Sequence, residues 1–287
     1  MINIEKLSHK PKVFRSLTGM DYIKFNILLE KIEPLWQKAE LNRKKPDKER
    51  LRRFGGGRTP KIGLDQNLFC LLVYYRTYVS HEFIGMLASI DGTNIGRRFS
   101  GLQPILAQFF RIPERKINLT EEEILELIVD ATEQETQRRD GSGYSGKKKK
   151  QSIKTQVHIT PDGKIKSVSK SYAGNIHDKK VYDKTKTFTV HNRGKPKKIK
   201  KTGDLGYLGT ECTTPFKSSK YHKLTKKEKQ FNQKLSKKRI IIEHVLAQLK
   251  KFKILDNKFR NNLSKYNIIF KNICGLRNFI TTPAASC

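Results

Sequence analysis

Long apolar runs are scarce in the sequence, and we expect neither a membrane-spanning segment nor a secretory leader. A helix that crosses a bilayer needs about 20 consecutive apolar residues, whereas the longest apolar run, from Leu68 to Tyr75, has the length of a segment buried in a protein core. The first residues, Met1 to Lys6, lack the apolar stretch of a secretory signal. We therefore expect a cytoplasmic protein with no membrane partner.

Cysteine is scarce, and its positions form no metal-binding pattern. Cys70, Cys212, Cys274 and Cys287 are far apart and include no CxxC pair, which argues against a structural zinc site. Cys70 and Cys274 lie within apolar segments, where a free thiol behaves as a small hydrophobic group in a reducing compartment.

Acidic residues are few in relation to basic ones. The chain has 60 Lys and Arg residues against 27 Asp and Glu residues, and its formal net charge is +33. Such a charge repels itself in a compact chain unless a polyanion is bound. The lysine-rich stretches 147–150, 195–201 and 217–229 are expected to contact phosphates, which provides affinity without sequence information. The expected partner is therefore nucleic acid.

Composition divides the chain into three regions, predicted as residues 1–60, 61–115 and 120–287. The first is basic and ends in a glycine-rich breaker cluster. It contains a helical pattern over residues 21–41 that Pro34 is expected to kink or restart. The second region is wholly helical in its pattern, and the third alternates strand-like and helix-like stretches.

Short helices separated by tight turns are predicted in the second region. Ser80 is a suitable N-cap for a helix from His81 to Ile90, which is followed by a turn at Asp91-Gly92. Thr93 is the expected N-cap of the next helix, and a further helix is expected to begin at Pro104.

Two short helices joined by a glycine-containing turn are typical of the helix-turn-helix motif, whose second helix enters the major groove. Asn94, Arg97 and Arg98 lie on the second helix and are the candidate base-reading residues. The alternative is an ordinary three-helix bundle in which the two arginines are solvated, and the pattern leaves both interpretations open.

Two aspartates follow strand-like segments in the third region. The apolar run 125–129 closes on Asp130, and the segment 198–203 closes on Asp204 beside glycines. A buried central strand delivers a carboxylate to a site in this way.

Between the two aspartates, the pattern predicts strands over residues 150–160 and 164–171 joined by a turn at 161–163. Together with the first strand they form a predicted three-stranded meander. A helical crossover is expected near residues 178–186.

The best helical pattern in the chain spans residues 225–253. The face that packs on a sheet is marked by an apolar stripe of Ile242, Val245, Leu246, Leu249 and Phe252. At about 100° per residue, Arg239, Glu243 and Lys250 fall within about 40° of one another along the edge of this stripe. From that margin the Glu243 carboxylate can reach acids carried by the strands.

The three acids lie in motifs that resemble the DDE signature of bacterial insertion-sequence transposases of family five, which are related to the PIF/Harbinger transposases. The motifs are Val129-Asp130-Ala131-Thr132-Glu133, Gly203-Asp204-Leu205-Gly206-Tyr207-Leu208-Gly209 and Arg239-Ile240-Ile241-Ile242-Glu243 with Lys250. The last is the most specific, because its spacing is similar to the family's glutamate motif. The residues from Ser80 to Phe110 are similar to the helix-turn-helix that precedes the catalytic domain in that subgroup.

Two positions depart from the family pattern. Ser236 stands where related lineages often have a tyrosine, three residues before the arginine, and Leu205 stands where the residue is often polar. Neither departure touches the three acids.

The resemblance implies an α/β (α+β) fold with an RNase H-like mixed sheet and flanking helices, preceded by an all-helical helix-turn-helix region. It implies that Asp130, Asp204 and Glu243 are catalytic and hold two Mg²⁺ (or Mn²⁺) ions, roughly 3.5–4 Å apart, against the scissile phosphate. Hydrolysis then exposes a 3′-hydroxyl, which attacks target DNA. Arg239 and Lys250 are expected to contact phosphates or to pair with the acids.

The implied partners are double-stranded DNA, both as the terminal inverted repeats of the protein's own element and as target, and a second copy of the chain. Joining two element ends requires at least a homodimer during the reaction. The implied localisation is the bacterial cytoplasm, in association with the nucleoid.

Auxiliary roles are considered for three further residues. His177 and Asp178 resemble a recurrent His-Asp pair of the family, although a hydrogen-bonding pair in a loop explains them equally well. Glu133 could assist Asp130, but a solvated loop acid is the favoured interpretation. His158 and His244 are expected to be structural or surface residues.

Two other classes of protein remain as alternatives. One is a transposase-derived DNA-binding protein that has lost catalysis, which the intact acidic trio argues against. The other is a basic RNA-binding or ribosome-associated protein. It gives no reason for the ordered acids, and the aromatic RNP-type motif that it might use is absent from the sequence.

Overall fold

The computed structural model of the protein describes residues 3–44, 61–114, 116–119, 126–137, 143–146, 149–185, 188–191, 199–221 and 223–283. By their contacts they form two compact units. The helical unit comprises Met1–Arg111, Lys251–Ile254 and Phe279–Cys287, and the sheet unit comprises Ile112–Lys250 and Leu255–Asn278. Within the described ranges, no helix is long and apolar enough to cross a membrane. The three-region division of the sequence stays a prediction.

Six helices make up most of the helical unit. They are α1 (Ile4–Ser8), α2 (Pro11–Thr18), α3 (Tyr22–Lys44), α4 (Leu64–Thr77), α5 (His81–Ala88) and α6 (Gly92–Phe110). Helix α4 is central, because nine consecutive residues, 67–75, are buried. The rings of Phe14, Phe25 and Phe69 pack against one another at centroid distances of 5.5–6.5 Å and join α2, α3 and α4.

The N-cap of α5 agrees with the sequence, whereas that of α6 does not. The Ser80 hydroxyl accepts a hydrogen bond from the Phe83 N–H at 3.1 Å, as predicted. Asp91, and not Thr93, is the N-cap of α6, since its Oδ1 accepts from the Thr93 N–H at 2.7 Å. An aspartate at this position can cap the first turn of a helix as well as a threonine can.

Two prolines lie inside helices that the sequence predicted to be interrupted. Helix α6 continues through Pro104 to Phe110, so the predicted separate helix at this position is wrong. Helix α3 continues in the same way through Pro34. A proline leaves the carbonyl four residues earlier without its N–H donor. Because Pro104 and Ser100 are exposed, water can replace that donor.

The sheet unit contains eight strands among the described residues. They are β1 (Lys116–Leu119), β2 (Glu126–Glu135), β3 (Tyr144–Ser145), β4 (Lys150–Ile159), β5 (Ile165–Val168), β6 (Tyr172–Ala173), β7 (Phe188–His191) and β8 (Lys200–Thr202). The order β3-β4-β2-β8 forms the main sheet, with β5 and β6 also pairing with β4, and β1 pairs with β7 separately.

Strand β2 lies at the centre of the main sheet. It is antiparallel to β4 and parallel to β8, and β4 is antiparallel to β5, which confirms the predicted meander. Asp130 lies on this central strand, as predicted, and β2 extends beyond the apolar run because residues 131–135 remain paired with β4. The mixed α/β class is confirmed.

In the described part of the chain, four α-helices follow α6: α7 (Asp178–Thr185), α8 (Lys226–Lys250), α9 (Lys253–Asp256) and α10 (Tyr266–Thr281). Helix α8 packs against β2. Its buried residues Leu235, Ile242, Val245 and Leu249 include three of the predicted apolar stripe, which therefore faces the sheet.

Candidate active site

Parallel pairing of β2 with β8 places Asp130 and Asp204 at the same level of the sheet. Ile128 pairs with Thr202, and each aspartate comes two residues after its member of this pair. Residues two apart share a face of a strand, and neighbouring strands are about 4.8 Å apart. Asp204 lies just beyond β8, where its Oδ1 accepts a hydrogen bond from the Gly206 N–H at 2.9 Å.

Asp178, at the start of α7, adds a third carboxylate beside Asp204. A Cβ atom on Gly206 would lie 2.8 Å from Asp178 Oδ2 and 3.0 Å from Asp204 Oδ1. The two carboxylates are therefore neighbours, and a larger residue at 206 would collide with both. Lys154 Nζ lies 3.0 Å from Asp178 Oδ1 and donates to the Ile176 carbonyl at 2.9 Å. The contact with Asp178 is an ion pair without hydrogen-bond geometry.

Two ion pairs fix the position of α8 along β2. Lys238 Nζ lies 2.9 Å from Glu126 Oε2, and Arg239 Nη2 lies 3.7 Å from Asp130 Oδ2. The side chains of Arg239 and Asp130 are each only 18% exposed. The Arg239–Asp130 pair is therefore partly shielded from water, and it places α8 beside the first of the predicted acids.

Glu243 is carried on the same edge of α8 as Arg239. It follows Arg239 by one helical turn, a rise of about 6 Å, and it is exposed. Farther along the helix, Leu246 and Lys250 line the cleft that also contains Asp178 and Asp204. Along α8, Glu243 thus lies between Arg239, which contacts Asp130, and the cleft residues Leu246 and Lys250. In the described parts of the chain, however, no three His, Cys, Asp or Glu side chains are close enough to hold one metal ion.

The cleft has a volume of about 670 Å³ and is lined by β2, β4, the loop before α7, the turn after β8 and α8. Five of the predicted residues line it: Glu133, His177, Asp178, Asp204 and Lys250. The interpretation of Glu133 as a solvated loop acid is wrong. It lies within β2, is partly buried, and accepts a hydrogen bond from the Ser152 hydroxyl.

The environment of Asp130 disfavours its charged form. Burial raises the pKa of this carboxyl to about 6. The N–H of Ala131, which donates to Oδ1 at 2.7 Å, and the guanidinium of Arg239 lower the pKa, while the charges of Asp204 and Asp178 raise it. Burial is therefore the main reason why the pKa of Asp130 is raised, and the two neighbouring carboxylates add less to it.

The candidate DNA-reading residues lie in α6 of the helical unit. Asn94 and Arg97 are exposed, and Arg97 Nη1 donates to Asn94 Oδ1 at 3.4 Å. Arg98 is partly buried, and its Nη1 donates to the Ile62 carbonyl at 3.4 Å. Arg98 therefore also has a structural contact, whereas the hydrogen bond of Arg97 is to a residue of its own helix.

Sequence reasoning missed Lys154 and gave no role to Tyr207. The sequence shows Lys154 as one lysine of a basic strand. The strand register is needed to show that it lies opposite Glu133 on the neighbouring strand. Tyr207 follows Asp204 by three residues and is fully buried in a core cluster with Val129, Tyr182 and Cys212. A tyrosine in a glycine-rich loop gives no sign of such burial.

Comparison with known proteins identifies the family. Residues 129–278, just over half of the chain, match the family described as DDE superfamily endonuclease. The chain therefore belongs to the DDE superfamily endonucleases. It is 27% identical over 278 residues to a protein of Microchaete diplosiphon described as a probable transposase for insertion sequence element IS702, and the match covers 93% of each chain. No solved structure matches the chain at a significant level.

These matches confirm the resemblance to insertion-sequence DDE transposases. The family suggests DNA as a partner, and its members use divalent metal ions. The matched region begins one residue before Asp130 and includes Asp204, Glu243 and Lys250.

Proposed function

We propose that this protein is a transposase that binds the ends of its own insertion element and catalyses metal-dependent cleavage and transfer of DNA strands. Asp130, Asp204 and Glu243 carry the catalysis in an RNase H-like sheet unit. The helical unit recognises double-stranded DNA at the terminal inverted repeats. Two copies of the chain, at least, bring the two element ends together.

The observation that carries the proposal is the placement of α8. Arg239 contacts Asp130, and Lys250 lines the cleft that contains Asp204. Glu243 lies between them on the same edge of the helix. Three acids that are far apart in the sequence are thus carried by three elements that meet at one cleft.

The residues at this cleft fit a divalent ion in their chemistry. Carboxylate oxygens are the ligands that Mg²⁺ and Mn²⁺ favour, and Asp130, Asp204 and Asp178 lie close enough for their charges to interact. Asp178 is therefore a candidate further ligand, together with His177 and Glu133 at the cleft wall. Closure around two ions would require side-chain rotation, because the acids do not converge in the described structure.

A bound divalent ion would polarise the scissile phosphate and activate the attacking water or 3′-hydroxyl. The protein's own residues act around that centre. The carboxylates of Asp130, Asp204 and Glu243 neutralise the ions, while Arg239 and Lys250 bind phosphate oxygens of the flanking DNA. When DNA binds, Arg239 would leave its ion pair with Asp130 and contact a phosphate oxygen instead.

The test of catalysis uses a duplex that carries the DNA flanking the coding sequence. The wild-type protein is expected to cut it in the presence of Mg²⁺ and to join the 3′ end to a second duplex. Asp204→Asn is expected to abolish both reactions and to leave duplex binding near the wild-type level. Asp183→Asn, an exposed position in α7, is the matched control. Full activity of the Asp204 variant would contradict the assignment.

The geometry of α5 and α6 supports a helix-turn-helix. A Cβ atom on Gly85 would lie 2.4 Å from the Ile90 carbonyl oxygen, so glycine is needed where α5 meets the turn. Ser89 ends α5 in the left-handed conformation, with φ 56°. The exposed residues Asn94 and Arg97 then lie in the first turns of the second helix, where base-reading residues occur in this motif.

The DNA-reading role is tested by footprinting on the same duplex. Arg97→Ala is expected to weaken protection of the specific end sequence by roughly 1–3 kcal/mol, the value of one good base contact. Binding to unrelated duplex should change little. Arg15→Ala, an exposed arginine of α2, serves as control, and a specific footprint that survives in the Arg97 variant would remove the assignment.

The two alternative functions predict different results. A catalytically inactive DNA-binding relative would bind the element ends but cut no duplex under any divalent ion. An RNA-binding protein would prefer RNA over the flanking duplex in a competition assay. The cleft is lined by Asp204 and by other residues of β2 and α8, the elements that carry Asp130 and Glu243, and this arrangement favours the catalytic proposal over both.

A further inference from the structure

The hydroxyl of Tyr207 is a buried polar group without a hydrogen-bond partner in the described structure. The side chain is fully buried. A buried hydroxyl that donates no hydrogen bond costs free energy, and phenylalanine would fill the same space without that cost. A hydrogen-bond acceptor would stabilise this hydroxyl, and the described structure provides none.

Tyr207 contacts both segments that carry the aspartates. Its N–H donates to the Asp204 carbonyl at 3.1 Å, and its ring packs in one cluster with Val129, the residue before Asp130. A Cβ atom on Gly203 would lie only 2.9 Å from the ring. Tyr182 packs edge-on against it at a centroid distance of 5.9 Å. The phenol therefore has little freedom to move away.

Three carboxylates of the site lie close enough to Tyr207 for their charges to act on its hydroxyl. Burial raises the pKa of Tyr207 well above its ordinary value, and the charges of Asp130, Asp178 and Asp204 raise it further. The phenol is therefore neutral and keeps its proton for donation. In the described state the carboxylates have other partners, namely the Ala131 and Gly206 N–H groups, Arg239 and Lys154.

We propose that Tyr207 is a positioning residue whose hydroxyl donates its one hydrogen bond to a carboxylate of the Asp130, Asp178 and Asp204 group when a divalent ion is bound there. The inference rests on the proposed metal-binding role of these acids. An ion would compete with Arg239 and Lys154 for the carboxylates and free them to turn. The hydrogen bond from Tyr207 would then fix the orientation of a metal ligand, as partners of ligating carboxylates do.

The variant Tyr207→Phe separates this role from packing, because it keeps the ring and removes only the hydroxyl. We expect the metal-free protein to be as thermally stable as wild type or more stable. We expect the dissociation constant for Mn²⁺, measured by calorimetric titration without DNA, to rise by about tenfold, the lower end of the effect of losing a partner of a metal ligand.

Tyr182→Phe is the matched control. The Tyr182 hydroxyl already has partners, since it donates to Glu211 Oε1 at 2.6 Å and accepts from Lys201 Nζ at 3.0 Å. We expect this variant to lower the melting temperature and to leave the Mn²⁺ affinity unchanged. The two tyrosines should thus give opposite patterns of stability and affinity.

Asp204→Asn distinguishes failure of this inference from failure of the proposed metal site. If Asp204→Asn removes Mn²⁺ binding while Tyr207→Phe binds Mn²⁺ as wild type does, only the role of Tyr207 is overturned. If Asp204→Asn binds Mn²⁺ normally, the metal site and the inference both fall. A Tyr207→Phe protein that melts well below wild type would show that the hydroxyl is structural, and would overturn the inference as well.

Discussion

His158 shows how burial sets the protonation of a single side chain in the sheet unit. It is fully buried in β4, with Nδ1 3.0 Å from the Ser167 hydroxyl and Nε2 3.3 Å from Gln156 Nε2. Burial, and then the positive charge of Lys201, lower its pKa from 6.5 to about 3. The expectation of a structural role agrees with this position.

The lowered pKa of His158 predicts a loss of stability in acid. Between pH 6.5 and about 3 the unfolded chain binds a proton that the folded chain does not, so the stabilisation is complete above pH 6.5 and decreases as the pH falls. At about 1.4 kcal/mol per pH unit, the free energy of unfolding should fall by roughly 2 kcal/mol between pH 6.5 and 5 through this residue. Urea unfolding at both pH values measures it.

His158→Gln should remove this part of the pH dependence, even if it lowers stability at both pH values. The exposed residue His244 provides the control, because His244→Gln should keep the wild-type slope. Equal slopes in wild type and His158→Gln would show that His158 is not the titrating group.

The sequence motifs predicted which strands carry Asp130 and Asp204, while the catalytic roles of these residues stay a prediction. Asp130 and Asp204 follow apolar or glycine-rich contexts, and the parallel register of β2 and β8 sets them side by side. Lys154 and Tyr207 were beyond prediction, because their contacts depend on strand register and on packing across distant segments. Neither property is visible in local periodicity.

At the scale of elements, α8 is the best-predicted part of the sheet unit. Its 3.6-residue period fixes which face packs on β2, and therefore where Arg239 and Glu243 emerge. The extents of α6 and β2 were predicted less well. Helix α6 continues past Pro104 because the hydrogen bond that proline removes is on the solvent side, and β2 continues past Asp130 because β4 still pairs with polar residues there.

The packing of α8 on the sheet should depend on the buried Ile242 and far less on the exposed Ile240. Ile242 is fully buried and Ile240 is 42% exposed on the same helix. Ile242→Ala should therefore destabilise the protein by about 2–5 kcal/mol, whereas Ile240→Ala should change stability far less. Chemical unfolding of the two variants measures the difference, and equal losses would show that α8 is not packed as described.

At the scale of the whole molecule, charge is the dominant feature. The net charge of +33 is concentrated in stretches such as the start of α8, where Lys226, Lys227 and Lys229 are exposed. Such surfaces bind phosphates and release counterions from DNA. The charge argument comes from composition alone and required no structure.

DNA affinity should accordingly fall steeply with salt. With about six phosphates neutralised, the association constant should decrease roughly 10³-fold between 50 and 200 mM salt. Replacing Lys226, Lys227 and Lys229 by alanine should reduce the log–log slope by about 0.9 for each phosphate that is no longer neutralised. Fluorescence anisotropy with a labelled duplex gives both slopes. A flat salt response of the wild-type protein would argue against DNA as the partner.

The most direct test of the central claim is Mg²⁺-dependent cleavage of the flanking duplex by Glu243→Gln beside Glu228→Gln. Both glutamates lie on α8, about 22 Å apart along the helix. Glu228 caps the helix start by accepting hydrogen bonds from the Thr225 N–H and hydroxyl, and glutamine can replace it there. The account predicts that Glu243→Gln binds the duplex but does not cut it, while Glu228→Gln cuts it at the wild-type rate. Cleavage by Glu243→Gln at the wild-type rate would contradict the claim that α8 supplies the third catalytic acid.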